Sequence, residues 1–323
     1  MKLFDPHVHL TSERYDDDLP EVIARLREAG LTGCMVICDP GDREPDCARA
    51  AEIVEQNPGF FLAIGVHPHN ANGFSPEVER EIRRYAARGD CVCLGEIGLD
   101  YYDGFASSSE LSNPVAKGDL KSQGDFNLYD FSPREVQRDV FERQLREVRR
   151  AEDVVEDRLL GVLLHQRHVL VRRRGDVFER QLDLALELNL PVQLHIRDAH
   201  GEAIERLQAR HRAGRLPRGV MHCYSGSWES AKTYLSMGLY ISLSGVATFR
   251  NAPKVWEVAK NLPEDRLLVE TDCPYMAPAP MRGKRNEPAF LRYTLERVAE
   301  LRETDPERLA ERIGENLNAL FFR

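Results

Sequence analysis

The amino-acid sequence predicts an α/β fold, a TIM (β/α)8 barrel, as a single domain over residues 1–323. Eight short apolar runs alternate with longer segments of helical periodicity, which is the pattern of repeated βα units around a parallel sheet. The 323 residues suffice for such a barrel, which commonly takes about 250. The first βα turn lacks GxGxxG, which disfavours an open sheet that binds a dinucleotide.

Strands are predicted from the apolar runs and helices from the amphipathic segments. The predicted strands are Leu3–Val8, Gly33–Cys38, Phe61–Val66, Cys91–Ile97, Pro191–Ile196, Gly219–Cys223, Leu239–Leu243 and Leu267–Thr271. The predicted helices are Leu19–Ala29, Pro76–Arg88, Val177–Glu187, Gly201–Arg212, Trp228–Met237, Ala252–Lys260, Pro288–Arg302 and Pro306–Phe321. The second and third strands have no predicted helix between them.

Side chains that can bind metals lie at the carboxyl ends of five predicted strands, and these ends meet at the mouth of a TIM barrel. His7 and His9 end strand 1 and point to the same face, because they are two residues apart. The other candidates end strands 4, 5, 6 and 8 or follow strand 3: Glu96, His195, His222, Asp272, His67 and His69. One such side chain alone is typical of a rim or capping residue, whereas their convergence predicts a metal site.

The size of this set indicates more than one ion. Four imidazoles and two carboxylates exceed the needs of one tetrahedral ion, so we expect two divalent ions that share a carboxylate. Two ions suit phosphoester displacement, because they stabilise the attacking and the leaving oxygen. Imidazoles favour Zn²⁺ or Mn²⁺ over Mg²⁺, although the sequence does not identify the ion. The predicted ligands are His7, His9, Glu96, His195, His222 and Asp272.

Composition and charge limit the partners. The net charge of -9 argues against a broad basic surface for duplex DNA, but it is compatible with a nuclease that holds phosphates locally through metal ions. No apolar run reaches the about 18 residues of a membrane span, and Met1–Pro6 lacks a signal-peptide core. The seven cysteines include no CxxC pair and are expected to be reduced core thiols. We therefore expect a cytoplasmic protein; the oligomeric state stays open, and a monomer is compatible with the sequence.

Seven runs, in order from residue 4 to about residue 290, resemble the successive signatures of TatD-type hydrolases. They are FDPHVHL (4–10), GVHPH (65–69), GEIGLDYY (95–102), HIRDA (195–199), HCYSG (222–226), ETDCPY (270–275) and RGKRNEP (282–288). Tyr224 stands where phenylalanine is usual in that family, and Cys273 where alanine is usual. Neither departure falls on a candidate ligand.

The resemblance implies a TIM barrel of the metal-dependent hydrolase type. The implied activity is that of a metal-dependent deoxyribonuclease, in this family often a 3′–5′ exonuclease. The implied substrate is DNA, single-stranded or at its ends, and the implied cofactors are two ions of Mg²⁺, Mn²⁺ or Zn²⁺. The family pattern assigns one ion to His7, His9, Glu96 and Asp272. It assigns the second ion to Glu96, His195 and His222.

The same resemblance suggests catalytic roles for Asp272, Glu96 and His67. Glu96 would bridge the ions, Asp272 would accept a proton from the attacking water, and His67 would contact the scissile phosphate. Arg250 and the Arg282–Arg285 loop either contact flanking phosphates or form a solvated surface.

The segment between predicted strands 4 and 5 is too long for one βα unit and contains a repeat. DVFERQL occurs at Asp139–Leu145 and again at Asp176–Leu182. A shorter echo places Tyr-Asp at residues 102–103 and again at 129–130. We predict two insertions, at about 104–130 and 146–175, with the second DVFERQL copy as the barrel helix and the first as the alternative. The insertions are either tolerated surface segments or a lid or strand-binding element, and His165 and His168 are interpreted as surface residues.

Two other interpretations use the same scaffold. An amidohydrolase or lactonase acting on a small molecule shares the HxH strand, but such enzymes often bridge their metals with a carboxylated lysine at the position of Glu96. A binding protein whose insertions block the mouth is disfavoured, because all six predicted ligand positions are intact.

Overall fold

The chain folds as an eight-stranded parallel barrel, which confirms the predicted fold class. The computed structural model describes residues 3–42, 46–102 and 172–322. The strands pair in sequence order, and each pair is parallel. Their bounds are β1 Leu3–Val8, β2 Leu31–Cys38, β3 Phe61–Ile64, β4 Cys91–Asp100, β5 Val192–Arg197, β6 Gly219–Met221, β7 Tyr240–Leu243 and β8 Leu267–Val269.

Hydrogen bonds between the ends of β1 and β8 join the two edges of the sheet. A parallel bridge links Val8 to Cys273, just beyond β8. The Asp272 N–H donates to the His7 carbonyl at 3.1 Å, and the His9 N–H donates to the Cys273 carbonyl at 2.9 Å. The closure therefore brings the ends of the first and last strands together.

Helices cover the outside of the barrel. Their bounds are α1 Leu19–Glu28, α2 Cys47–Gln56, α3 Pro76–Ala86, α4 over the described residues 172–187, α5 His200–Arg212, α6 Trp228–Ser236, α7 Pro253–Asn261, α8 Leu291–Leu301 and α9 Pro306–Phe321. The described helices include none that is long and apolar enough to span a bilayer. All seven cysteines are free thiols, and six of them are buried.

Helix α2 is a helix that sequence analysis missed. Its buried residues include Cys47, Ala50, Ala51 and Val54, which follow the helical spacing of three and four residues. The amphipathic pattern of α2 is weak in the sequence, because three of these side chains are alanine or cysteine rather than large apolar residues.

The predicted ends of four strands need correction by more than one residue. β3 ends at Ile64 rather than at Val66. β6 ends at Met221 and β8 at Val269, so His222 and Asp272 follow their strands rather than ending them. The backbone turns left-handed at Cys223 (φ 43°) and at Asp272 (φ 55°), a conformation that does not continue a strand. β4 instead continues to Asp100, because its last residues pair with β5, so Glu96 lies within the strand.

Helix α4 contains the second DVFERQL copy, as predicted. Phe178 and Leu182 are fully buried, and the buried Gln181 hydrogen bonds to both main-chain polar groups of Val66, just after β3. The alternative in which this copy is displaced is therefore wrong.

The boundaries of the predicted insertions are only partly visible. Residues 172–175, the last of the second predicted insertion, belong to α4, and the insertion itself stays a prediction. The first insertion, the rest of the second, the first DVFERQL copy, His165 and His168 lie outside the described residues. The compact barrel unit comprises residues 1–101 and 173–323, and the assignment of the whole chain to one domain stays a prediction.

The contact between Gln181 and Val66 gives a test of the packing of α4. Gln181 donates to the Val66 carbonyl at 3.0 Å and accepts from the Val66 N–H at 2.7 Å. Gln181→Ala leaves both buried groups unsatisfied, so we expect a loss of about 2–4 kcal/mol in the free energy of unfolding by urea. Gln56→Ala, at an exposed position of α2, is the control and is expected to change this free energy by less than about 0.5 kcal/mol. Equal losses in both variants would contradict the structural role of Gln181.

Candidate metal centre

Glu96 lies at the centre of the imidazoles predicted to bind metal. Its Oε1 is 2.5 Å from His195 Nδ1 and 2.7 Å from His222 Nε2. Its Oε2 is 3.5 Å from His7 Nε2 and 3.8 Å from His9 Nε2. Each oxygen of one carboxylate thus faces a different pair of imidazoles.

Asp272 lies on the side of the His7 and His9 pair. Its Oδ1 is 3.3 Å from His9 Nε2 and 3.6 Å from His7 Nε2. His7, His9 and Glu96 have ligand atoms within 4.8 Å of one another, and so do His7, His222 and Asp272. The structure therefore brings all six predicted ligands into one cluster.

The three imidazoles that face the barrel interior are held by acceptors on their outer nitrogens. Gln193 Oε1 lies 2.5 Å from His7 Nδ1, and Glu270 Oε1 lies 2.9 Å from His222 Nδ1. A neutral imidazole beside such an acceptor carries its proton on the outer nitrogen and has a lone pair on the inner one.

The third of these imidazoles, His195, is turned the other way round. Asp100 Oδ2 lies 3.0 Å from His195 Nε2, so Nδ1 is the inner nitrogen. The inner lone pairs of all three rings are directed at carboxylate oxygens. This arrangement requires positive charge between them, and the mixed nitrogen and carboxylate donors suit divalent transition ions.

The electrostatics of the cluster agree with a cation site. Burial alone would lower the pKa of His195, but Glu96 and Asp100 outweigh it and raise the pKa to about 9. Burial alone would also lower the pKa of His222, but Glu96 and Glu270 outweigh it and hold this pKa well above its ordinary value. Burial would raise the pKa of Glu96, but His222 and His195 keep it well below normal. The carboxylates are thus ionised and attract positive charge, which a divalent ion supplies once the protons leave.

His67 lies beside the cluster, just after β3. Its Nε2 is 3.9 Å from Glu96 Oε1, and its Nδ1 accepts a hydrogen bond from the His69 N–H at 3.1 Å. The accepted bond means that Nδ1 is unprotonated, so the proton of the neutral ring is on Nε2. Burial lowers the pKa of His67 to about 3, which also keeps the ring neutral. His67 therefore directs an N–H donor towards the cluster.

Sequence analysis missed the residues that orient the ligands. Gln193 and Asp100 act on His7 and His195, and the buried Asp5 accepts from the Thr271 hydroxyl at 2.5 Å and from its N–H at 3.1 Å. The sequence spacing could have identified Gln193, because it lies two residues before His195 and therefore on the same strand face. A polar residue on a strand face that already carries a ligand is a candidate for orienting it.

The arginines near the mouth have separate roles. The Arg285 guanidinium donates to Asp18 Oδ1 at 2.6 Å and lies 4.5 Å from the centroid of the Tyr15 ring. This pairing makes Arg285 a structural residue rather than part of a solvated surface. Arg282 is exposed and lies over the Phe249 ring at 4.5 Å, and Arg250 is exposed.

A family model described as "TatD related DNase" matches residues 4–156 and 160–322. The chain belongs to the TatD family. It is 34% identical over 319 residues to the "Uncharacterized metal-dependent hydrolase YabD" of Bacillus subtilis, covering 99% of this chain and 98% of the relative. It is 31% identical over 325 residues to the "3'-5' ssDNA/RNA exonuclease TatD" of Pantoea vagans, covering 99% of each.

Solved structures show the same fold. The TatD homologue YjjV from Escherichia coli aligns with a TM-score of 0.72 at 22% identity, covering 99% of this chain and 98% of that one. A TatD-family hydrolase from Entamoeba histolytica aligns with a TM-score of 0.68 at 18% identity, covering 99% and 98%. The predicted family is thus confirmed, and this TatD-family chain is a metal-dependent hydrolase.

The orientation of His7 gives a test of the metal centre that does not depend on turnover. Gln193→Leu removes the acceptor on His7 Nδ1 and the donor, at 2.7 Å, to the Pro6 carbonyl. We expect the affinity for Mn²⁺, measured by calorimetry, to fall about 10- to 100-fold, because loss of an orienting partner weakens metal ligands by that amount.

The matched control for Gln193→Leu is Gln56→Leu, on the exposed face of α2. It is expected to leave the affinity for Mn²⁺ at the wild-type value. Wild-type affinity in a folded Gln193→Leu protein would contradict the orienting role.

Proposed function

We propose that this TatD-family hydrolase is a metal-dependent phosphodiesterase, a 3′–5′ exonuclease that acts on single-stranded DNA or DNA ends. The observation that carries the proposal is the Glu96 carboxylate, which presents one oxygen to each pair of imidazoles. This is the arrangement expected of a carboxylate shared by two ions.

The proposed ligands fall into two groups joined by Glu96. One ion is assigned to His7, His9, Glu96 and Asp272. The second ion is assigned to Glu96, His195 and His222. Divalent ions bound in this way supply Lewis acidity to water and to phosphate oxygens.

The protein's own groups have distinct tasks in phosphodiester hydrolysis. Asp272 has a second oxygen beyond the one that faces His9 and accepts the proton that the attacking water releases. His67 donates its Nε2 proton in a hydrogen bond to an oxygen of the scissile phosphate. Glu96 keeps its negative charge at the centre of the cluster, because the surrounding imidazoles hold its pKa low despite burial.

Two further observations support a nucleic-acid substrate. The relative from Pantoea vagans is named a 3'-5' ssDNA/RNA exonuclease and covers the whole chain at 31% identity. Glu96 stands where small-molecule amidohydrolases often use a carboxylated lysine, which favours phosphodiester over amide or lactone hydrolysis. The net charge of -9 agrees with local rather than broad contact with the strand. The cytoplasmic location stays a prediction, and the oligomeric state stays open.

Single-stranded DNA labelled at its 5′ end provides the test, with Mg²⁺, Mn²⁺ and Zn²⁺ supplied in turn. We expect a ladder of products shortened from the 3′ end, and no shortening after chelation. Asp272→Asn removes the proton acceptor and an anionic ligand, so kcat should fall at least about 10²-fold. Asp17→Asn, at an exposed position, is the control and should retain wild-type kcat.

Other outcomes would redirect the proposal. A 3′-labelled strand that is shortened stepwise from its 5′ end would overturn the direction. Turnover of a lactone or an amide without cleavage of DNA would favour the amidohydrolase interpretation. Retained activity in Asp272→Asn would remove Asp272 from the proton transfer.

A further inference from the structure

Tyr275 is a large apolar side chain exposed beside the metal centre. It is 48% exposed, the highest value among the exposed large hydrophobic residues of the described chain, which are Leu186, Tyr275 and Phe322. It lies in the loop after β8, three residues beyond Asp272. The exposure of an aromatic ring to water is unfavourable. This ring lies at the mouth where a substrate enters, so a substrate can cover it.

The Tyr275 ring is fixed relative to the metal ligands. Its N–H donates to the Asp272 carbonyl at 3.0 Å, and its carbonyl accepts from Asn286 Nδ2 at 2.6 Å. Its ring meets that of His9 edge to face, with centroids 5.7 Å apart and an interplanar angle of 74°. A tyrosine held at both main-chain groups and in ring contact with His9 is already ordered, so little conformational entropy is lost when a flat ligand stacks on it.

A positive charge accompanies the ring. The Arg14 guanidinium carbon lies 5.5 Å from the Tyr275 ring centroid, and the Arg14 carbonyl accepts from Arg285 Nη1 at 2.6 Å. Arg14 is exposed and forms no ion pair with any residue in the described ranges. In a protein of net charge -9, an aromatic ring next to an arginine without an acidic partner matches an unpaired base and its phosphate.

We propose that Tyr275 is the stacking platform for the 3′-terminal base of a single-stranded DNA substrate, and that Arg14 contacts a phosphate of the same strand. This inference rests on the proposed function and adds the subsite that binds the nucleotide. Stacking on a ring face accepts any base and requires the base to be unpaired, so the subsite explains a preference for single strands without sequence readout.

A second tyrosine and arginine pair provides the matched control. Tyr240 begins β7, and Arg266 lies 5.1 Å from its ring centroid. The amino end of a barrel strand is opposite the mouth, so Tyr240 cannot contact a base at the metal centre. Both pairs place an arginine over a tyrosine ring; they differ in position, and Arg266 also pairs with Asp265 at 3.1 Å.

The test compares two oligonucleotides that differ only in the 3′-terminal base, which one of them lacks. For the wild type we expect KM to be about 5- to 150-fold higher without the base, because base stacking on an aromatic ring contributes about 1–3 kcal/mol. Tyr275→Ala should bring the KM ratio of the two oligonucleotides close to 1. Tyr275→Phe keeps the ring face and should keep the wild-type ratio, as should the Tyr240→Ala control.

Arg14→Gln gives a separate readout. Loss of a phosphate contact should raise KM for both oligonucleotides by the same factor and leave their ratio at the wild-type value. It should also reduce the slope of log binding constant against log salt concentration by about one, the value of a single phosphate contact. A change in the ratio instead would overturn the phosphate role of Arg14.

The failure of this inference and that of the proposed function are distinguishable. If the wild type cleaves both oligonucleotides with equal KM, or if Tyr275→Ala keeps the wild-type ratio, the stacking role is overturned while the exonuclease stands. If neither oligonucleotide is cleaved, the proposed function fails. Binding of the same two labelled oligonucleotides, measured by fluorescence anisotropy, then tests whether Tyr275 stacks on the terminal base. Binding that needs the base and is lost in Tyr275→Ala supports the stacking role, and equal or absent binding overturns it.

Discussion

The contact of one carboxylate with two pairs of imidazoles is the interaction on which the rest of the site depends. Glu96 lies inside β4, in the register shift between Leu94 and Ile97, so the paired residues on either side of it hold its position. The closure of the barrel then brings β1 and the end of β8 to the same place, which sets His7, His9 and Asp272 on one side of Glu96. Without closure, ligands from the first and last strands would lie at opposite edges of a sheet.

The sequence predicted the barrel well because parallel strands are buried on both faces and form continuous apolar runs. It was less informative where the structure departs from periodicity. The ends of β6 and β8 depend on left-handed residues, Cys223 and Asp272, that no hydrophobic pattern reveals. Helix α2 buries small side chains, so its amphipathic signal is weak. The DVFERQL repeat had two possible packings in sequence, and the burial of Phe178 and Leu182 with the contact of Gln181 with Val66 distinguishes them.

The site was predictable to the extent that it follows strand geometry. Two histidines two residues apart on one strand must share a face, and ligands at the carboxyl ends of barrel strands must converge. The partners behind the ligands were not predictable in this way. Asp100 of β4 lies beside His195 of the paired strand β5, which depends on strand register. Gln193 of β5 contacts His7 of β1, a strand with which β5 does not pair, so this contact depends on the closed barrel. Tyr275 belongs to the ETDCPY run, and its exposure is visible only in the structure.

The residues behind the imidazoles also make the two halves of the cluster chemically unequal. In one half both carboxylates of the cluster, Glu96 and Asp272, lie directly against the imidazoles, and the acceptor behind the inner ring is the neutral amide of Gln193. In the other half Glu96 alone is in contact, and the acceptors behind the rings are the anions Asp100 and Glu270. A hydrogen bond to an anion makes an imidazole a stronger electron donor than a hydrogen bond to an amide. The first half would therefore compensate the charge of a bound cation by direct contact, and the second half would do so through the polarisation of its rings. Glu96 thus lies between two groups of imidazoles of different basicity.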